Sequence, residues 1–133
     1  MLDGKVILIA DDDLTLLEMY ADRFKQEGAI VEVAHDGKEA VRMAEENHPH
    51  LIILDIMMPG LNGFEVLQVL KQSDVTKDIP VIIYTVLLEA DKYAKAKELG
   101  ADEFIVKSDV LPIDVIKKVS EVLDRHRPTT KDA

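Results

Sequence analysis

The sequence predicts a doubly wound α/β domain with a five-stranded parallel sheet and five helices. Two observations predict this fold: short β-branched runs alternate with amphipathic stretches along the chain, and those runs are apolar at consecutive positions. A strand that is apolar on both faces is buried on both faces, which requires helices on each side of a parallel sheet. The 133 residues suit one domain with a single core, and right-handed crossovers complete the doubly wound arrangement.

The first half of the chain contains three predicted strands and two helices. Asp13 is expected to cap the first helix and Gly28 to end it, since an acid before the first turn and a glycine after the last are typical of helix ends. Asp36 opens the second helix in the same way. The three predicted strands of this half are residues 5–10, 30–34 and 51–54.

The second half contains the other two strands and three helices. Asn62 is expected to cap the third helix, and Pro112 occupies a first helical position in the fifth. The last two predicted strands are residues 81–84 and 103–106.

The last two helices differ in their apolar faces. The fourth helix, at about 89–99, has a thin inward face and is therefore expected to be held less firmly. We assign that face to Ala90, Tyr93, Ala94 and Leu99. On the fifth helix, Val115 and Val122 lie beside the core stripe and are either half-buried core or part of a partner surface. The residues expected to face the core there are Ile113, Ile116, Val119 and Leu123.

Composition excludes several classes of function. The net charge is −10 and basic residues are scattered among more numerous acids, so direct nucleic-acid binding is not expected. No apolar run is long enough to cross a bilayer, and the first residues show no secretory signal. With no cysteine in the chain, these features predict a cytoplasmic protein without a membrane partner.

Chemically active side chains follow four of the predicted strands. Because the carboxyl ends of parallel strands meet at one edge of a sheet, these side chains are expected to form a site there. Neighbouring carboxylates repel one another, and a hard divalent cation such as Mg²⁺ relieves that repulsion. The side chains are Asp11, Asp12 and Asp13 after the first strand, Asp55 after the third, Thr85 after the fourth and Lys107 after the fifth.

At these positions the chain resembles the receiver family of response regulators in two-component signalling. The matching segments are ILIADDD, LIILDIMMPGLNGFE, VIIYT and GADEFIVK, in the order and spacing of that family. The resemblance implies a flavodoxin-like sheet with strand order 2-1-3-4-5. It also implies a receiver domain over residues 1–125, followed by a polar tail over 126–133 that we expect to be disordered.

The resemblance implies the following chemistry. Asp55 is the nucleophile and takes a phosphoryl group from a phosphohistidine on a sensor histidine kinase or a phosphotransfer protein. Mg²⁺ is the cofactor, held by Asp12, Asp55 and the backbone carbonyl of Met57, with Asp11 contributing directly or through water. Lys107 contacts both the phosphoryl group and Asp55. The chain is thus a signalling protein that catalyses only its own phosphotransfer and slow self-dephosphorylation, and not an enzyme acting on other substrates.

The resemblance also implies a switch. Thr85 moves to bond the phosphoryl group, and Phe104 is the aromatic residue that rotates inward in the active state. The surface of the fourth helix, fifth strand and fifth helix then changes its preference for partners. That partner is a downstream protein that the sequence does not name, with a second copy of the chain among the alternatives. A stand-alone regulator and a receiver from a longer protein both remain open.

The sequence departs from the family at several positions near the site. Ser108 replaces a proline that usually follows the lysine, so we expect a trans bond there and a shifted Lys107. Val86 replaces a small residue and is expected to narrow the entrance to Asp55. Met57 and Leu87 are apolar where the family tunes hydrolysis, which predicts slow self-dephosphorylation because neither orients a water molecule.

Two other interpretations compete with the receiver. Residues 11–15 read D-x-D-x-T, the nucleophile motif of haloacid-dehalogenase-type phosphatases, with Asp11 as nucleophile and Asp13 as acid/base. That family also needs an acidic pair at a further strand end, and the only acids after the lysine that come near this are Asp109 and Asp114. It leaves Asp55 without a role. The other interpretation is a receiver-like binding module whose site is inactive.

Overall fold

The computed structural model describes residues 2–86 and 89–126 of the chain. The strands are β1 Val6–Ala10, β2 Ile30–Ala34, β3 Leu51–Leu54, β4 Val81–Thr85 and β5 Glu103–Val106. The helices are α1 Leu14–Gln26, α2 Gly37–Asn47, α3 Gly63–Gln72, α4 Ala90–Glu98 and α5 Pro112–Arg125. A short 3-10 turn, Lys107–Asp109, follows β5. Strands and helices alternate as predicted. Most of the predicted tail, from residue 127 onward, lies outside the described residues.

The five strands form one parallel sheet in the order β2-β1-β3-β4-β5, which confirms the predicted order. Ala10 at the end of β1 is paired with Leu54 at the end of β3. The chain therefore leaves the two central strands at the same level. On the next pair of strands, Thr85 of β4 stands opposite Val106 of β5.

The sheet carries a core layer on each face, because successive strand residues point to opposite sides. One layer packs against α1 and α5, and it includes Ile7, Ile9, Leu51, Ile53, Ile82 and Tyr84. The other packs against α2, α3 and α4, and it includes Leu8, Ala10, Ile52, Leu54, Val81 and Ile83. Burial on both faces explains why these strands are apolar at consecutive positions.

Helix ends follow the capping residues that the sequence predicts. The Asp13 side chain accepts a hydrogen bond from the Leu16 N–H at 3.2 Å, and the Asp36 side chain caps α2. Asn62 forms a reciprocal capping box with Glu65 at the start of α3. Gly28 has a φ of 92°, a left-handed conformation that favours glycine after a helix.

The predicted inward face of α4 is wrong in detail. Its one buried residue is Ala96, whereas Ala90, Tyr93 and Ala94 are exposed and Leu99 is half-buried. Tyr93, which was predicted to face inward, is 51% exposed. The Tyr93 ring instead lies against Phe104 near the surface. The prediction that this helix buries little is confirmed, and its weaker attachment stays a prediction.

The face of α5 also differs from the prediction. Val115 and Val122 are fully in the core together with Ile116 and Val119, so they are not available to a partner. Ile113 was predicted to face the core and is 36% exposed. It stands in the first turn of the helix, close to the exposed Leu111, where fewer neighbours cover the helix than at its middle. Among the described helices, none is long and apolar enough to cross a membrane.

Candidate functional site

Backbone hydrogen bonds place two acids side by side at the carboxyl edge of the sheet. The Asp55 N–H donates to the carbonyl of Ala10 at 3.0 Å, and the Asp11 N–H donates to the carbonyl of Ala34 at 3.1 Å. Both bonds continue the strand pattern one residue beyond β1 and β3. The positions of Asp11 and Asp55 are therefore set by the sheet itself, as the strand-end argument predicts.

Three of the predicted acids form one cluster. Carboxylate oxygens of Asp11, Asp12 and Asp55 all lie within 4.8 Å of one another. Asp11 is 2% exposed and Asp55 is 6% exposed, while Asp12 is open to solvent. Asp13 is not part of the cluster, because its carboxylate caps α1. The Asp13 backbone N–H donates to Asp11 Oδ1 at 2.9 Å, while the Asp13 carboxylate is engaged at the helix end, which does not favour the acid/base role that the phosphatase interpretation gives it.

Lys107 joins the two buried acids. Its Nζ donates to Asp11 Oδ2 at 2.6 Å and to Asp55 Oδ2 at 3.1 Å, and its side chain is 13% exposed. Burial by itself lowers the pKa of this ammonium, but the hydrogen bonds and charges of the two carboxylates outweigh burial. The net effect raises the pKa of Lys107 above its ordinary value, so the lysine is held as a cation.

The missing proline after Lys107 does not keep the lysine from the site. Throughout the part of the chain that the structure describes, no peptide bond is cis, which confirms the expected trans bond before Ser108. The short turn Lys107–Asp109 directly follows β5 and delivers the ammonium to both acids. The prediction of an Asp55 contact is confirmed, and the closer contact to Asp11 was not predicted.

Thr85 and Val86 stand next to each other in the chain but in different surroundings. Thr85 is the last residue of β4 and is fully buried, whereas Val86 is 59% exposed. Met57 is also exposed, and its N–H makes a long hydrogen bond of 3.4 Å to Asp55 Oδ1. An exposed apolar side chain therefore lies two residues after Asp55, at Met57, and another directly after Thr85, at Val86. Leu87, the other position predicted to influence hydrolysis, lies outside the described residues.

Phe104 lies on β5 and is half-buried. Its ring meets that of Tyr93 on α4 in a tilted edge contact, with the ring centroids 5.6 Å apart. The predicted switch aromatic therefore contacts the helix with the least buried surface, and a rotation of Phe104 would change that contact.

A pair of tyrosines behind the site was not identified from the sequence. The hydroxyls of Tyr20 and Tyr84 are 2.8 Å apart, and the Lys107 Nζ lies over the Tyr84 ring, 5.5 Å from its centroid. Burial, followed by the hydrogen bond to Tyr84, raises the pKa of Tyr20. Tyr20 occupies an apolar position of α1, and Tyr84 occupies one of β4. The available signal was their hydroxyl groups, since a buried hydroxyl requires a hydrogen-bond partner.

The donor set fits a small divalent cation. Among the described residues, the cluster of three carboxylates is contacted by the ammonium of Lys107, which pairs with Asp11 and Asp55, so one positive charge stands against three acidic groups. Carboxylate oxygens are hard ligands of the kind that Mg²⁺ prefers, and two or three of them leave room for waters and a phosphate. The arrangement can thus hold a cation and an anionic oxygen group together at the edge of the sheet.

Comparison with protein families and curated proteins gives a consistent match. The family model described as the response regulator receiver domain matches residues 7–119. The phosphate regulon transcriptional regulatory protein PhoB of Pseudomonas aeruginosa is 35% identical over 98% of this chain and 56% of its own length. The transcriptional regulatory protein PrrA of Mycobacterium tuberculosis is 36% identical over 92% of this chain and 52% of its own length. The chain thus spans about half the length of the curated relatives it matches.

Solved structures match over almost their whole length. A CheY-like receiver domain protein from Methanospirillum hungatei is 29% identical, with a TM-score of 0.87, covering 93% of this chain and 97% of that one. The chemotaxis response regulator CheY4 of Vibrio cholerae is 28% identical, with a TM-score of 0.83, covering 90% of this chain and 98% of that one. These structures have the same parallel sheet and flanking helices.

Proposed function

This chain belongs to the response regulator receiver family of two-component signalling, and from that membership we propose that Asp55 is its phosphoryl acceptor. The donor is the phosphohistidine of a sensor histidine kinase or of a phosphotransfer protein. One observation carries the proposal: Asp55 is a nearly buried acid in a carboxylate cluster, with a lysine cation 3.1 Å from its Oδ2. A buried acid in that setting has a reactive oxygen and a fixed cation for an incoming anion.

Asp12, Asp55 and the backbone carbonyl of Met57 would hold Mg²⁺, with Asp11 acting directly or through water. When bound, the cation offsets the negative charge on the phosphoryl oxygens and orients them. The support for this assignment is the carboxylate cluster and its unbalanced charge. The exposed Asp12 keeps that side of the cluster open to solvent and to the donor.

The transfer is a displacement at phosphorus. A carboxylate oxygen of Asp55 forms the new oxygen–phosphorus bond while the nitrogen–phosphorus bond of the phosphohistidine breaks. The leaving imidazole keeps the electron pair and takes a proton from solvent. Lys107 offsets charge on the phosphoryl group, and the hydroxyl of Thr85 donates a hydrogen bond to one of its oxygens.

The response to phosphorylation is a change at the surface formed by α4, β5 and α5. As Thr85 moves toward the phosphoryl group, Phe104 turns inward and leaves Tyr93. A bistable element is thereby biased by a single charged group. The partner of that surface is a downstream protein or a second copy of the chain. We further propose that residues 1–125 form the receiver, that the chain acts in the cytoplasm and that it works on no other substrate.

Intact-mass measurement tests the acceptor. The protein is incubated with acetyl phosphate and Mg²⁺ as wild type and as Asp55→Asn, Asp11→Asn and Asp74→Asn. Asp74 is an exposed acid on the loop after α3 and serves as the matched control. We expect one added phosphoryl group on wild type and Asp74→Asn and none on Asp55→Asn. Asp11→Asn should also lose phosphorylation, because it removes a metal ligand.

Two outcomes would contradict the assignment. Phosphorylation that survives in Asp55→Asn but is lost in Asp11→Asn would support the phosphatase-type nucleophile. No mass gain in any of the four proteins would support a binding module without phosphotransfer.

The lifetime of the phosphoryl group follows from the apolar residues near Asp55. The exposed Met57 has no group that orients an attacking water, so loss of the phosphoryl group after removal of donor should be slow. Met57→Gln supplies an amide at this position and should shorten the lifetime, as measured by intact mass over time. A wild-type lifetime as short as that of Met57→Gln would contradict this reasoning.

A further inference from the structure

The aromatic ring of Tyr84 supports the lysine of the site. Lys107 places its Nζ over this ring, within the roughly 6 Å at which a cation and an aromatic face attract each other. Tyr84 is 5% exposed and directly precedes Thr85 on β4. We propose that Tyr84 is a positioning residue for Lys107, and that its ring keeps the ammonium in place during phosphoryl transfer. The proposal rests on the function assigned to Asp55 and Lys107 above.

The ring differs from the other contacts of Lys107 in one respect. Both hydrogen bonds of the ammonium go to acids that change during the proposed reaction: Asp55 becomes an acyl phosphate, and Asp11 takes part in holding the metal. A lysine side chain has many rotamers, and fixing it costs conformational entropy. The Tyr84 ring is neutral and carries no reacting atom, so its contact with Lys107 persists while both ion pairs are rearranged.

Tyr84 is itself held in one orientation. Its hydroxyl shares a 2.8 Å hydrogen bond with the hydroxyl of Tyr20, and the two rings meet nearly at right angles, with an interplanar angle of 82°. Tyr20 is 2% exposed on α1. An aliphatic residue would fill the same core space, but it would present no π face to the ammonium. Filling the core at these two positions would therefore not by itself require a hydrogen-bonded pair of tyrosines.

The experiment isolates the ring from the hydroxyl. It uses the full chain in a Tyr20→Phe background, which removes the partner hydroxyl, and compares Tyr84→Phe with Tyr84→Leu. Neither protein has an unpaired phenol at this position, and both keep an apolar side chain there. They differ in the aromatic face. Tyr84→Met is made as a second non-aromatic variant in case the leucine variant does not fold.

The first readout is the rate of Asp55 phosphorylation by acetyl phosphate with Mg²⁺, followed by intact mass. We expect the Leu and Met variants to react about fivefold more slowly than the Phe variant, the size expected for one cation–π contact. Equal rates for the three variants would overturn the proposal.

The second readout separates positioning from packing. The Phe and Leu variants are compared again in a Lys107→Met background, where no ammonium is left for the ring to hold. The difference between them should disappear. A difference of the same size with and without Lys107 would show that the ring acts through the packing of β4, which would overturn the proposal.

The third readout does not depend on phosphoryl transfer. It can therefore be applied to the Lys107→Met variants even if their phosphorylation is too slow to measure. Lys107 competes with Mg²⁺ for Asp11 and Asp55, so a less firmly held lysine should let the metal bind more tightly. Calorimetric titration should give a Mg²⁺ dissociation constant at least about twofold lower for Leu than for Phe, and equal values after Lys107→Met. Equal constants in both backgrounds would overturn the proposal. A wild type that binds Mg²⁺ but is never phosphorylated would contradict the function of Asp55 and leave this comparison intact.

Discussion

Helices α3 and α4 lie on the same side of the sheet, and they are attached to it to very different extents. Helix α3 starts with a capping box and buries an apolar face, whereas α4 has no side-chain cap and one buried residue. The buried residues of α3 are Gly63, Phe64, Val66, Leu67 and Leu70.

The two helices also serve different parts of the site. Helix α3 follows the segment after Asp55, and its first residue lies against the backbone of that acid. Helix α4 follows Thr85 and carries the Tyr93 ring that contacts Phe104. The proposed acceptor Asp55 thus lies beside a helix that buries an apolar face, while the surface that we propose to change includes a helix with one buried residue.

Truncating one large side chain on each helix should show the largest difference in their contributions to the free energy of unfolding. Leu67→Ala on α3 should lower the free energy of unfolding by about 2–5 kcal/mol, since Leu67 is fully buried. Tyr93→Ala on α4 should cost less than about 1 kcal/mol, because half of that side chain is already exposed. Urea denaturation measures both. Similar losses for the two variants would remove the basis of the comparison.

The close approach of α3 to Asp55 can be disturbed by adding one carbon atom to Gly63. A Cβ added to Gly63 would clash with the Asp55 carbonyl oxygen, so the helix or the acid must shift. Gly63→Ala should destabilise the fold by about 1–3 kcal/mol, as overpacking does, and should slow phosphorylation of Asp55.

Gln68→Ala serves as the control for Gly63→Ala, because it is an exposed site on the same helix. It should leave both the stability and the rate close to those of wild type. Unchanged kinetics in Gly63→Ala would show that this close approach does not position the acid.

Removing the cap of α3 and adding one to α4 should make the stabilities of the two helices more similar. Asn62→Ala removes the Oδ1 atom that accepts from the Glu65 N–H, while the bond from the Asn62 backbone N–H to Glu65 Oε1 can remain, and it should destabilise α3 by about 1 kcal/mol. Glu89 occupies the N-cap position of α4 with an extended backbone and makes no capping bond, so Glu89→Ser should stabilise that helix by a similar amount. Amide hydrogen exchange should then be slower in α4 of Glu89→Ser. Faster or unchanged exchange there would mean that its ends do not limit its stability.

The smallest effect is expected where β5 meets α5. Arg125 donates to Glu103 at 2.8 Å, but its side chain is 52% exposed, so water and salt screen the pair. Arg125→Ala should change the free energy of unfolding by less than about 1 kcal/mol and should leave α4 unaltered. A loss as large as that of Leu67→Ala would show that this edge contributes to the stable part of the fold.

Much of the site could be predicted from the sequence because it depends on strand ends. Asp11 and Asp55 follow continuous apolar runs, and Lys107 follows the last one, so their meeting at one edge is a consequence of parallel pairing. Caps such as Asp13 and Asn62 could be predicted equally well, because each accepts from the amide group three residues later in the chain.

What could not be predicted depends on contacts between distant elements. The phase of α4 is ambiguous, because apolar residues are too few on it to define one stripe, and Tyr93, which was predicted to face inward, is exposed. Ile113 has the right spacing for the core but lies at a helix end. The pairing of Tyr20 with Tyr84 joins residues 64 positions apart, and no local pattern indicates which buried hydroxyl meets which.

The tyrosines of this chain also have an optical consequence. The chain has three tyrosines and no tryptophan, so tyrosine emission is not masked by a stronger fluorophore. Two of the three form the hydrogen-bonded pair under Lys107, and the third, Tyr93, is the exposed ring on α4. Each of two parts of the molecule thus carries a native chromophore. In Tyr93→Phe, all tyrosine emission comes from Tyr20 and Tyr84 beside the acidic cluster. In the double variant Tyr20→Phe with Tyr84→Phe, it all comes from Tyr93 on α4.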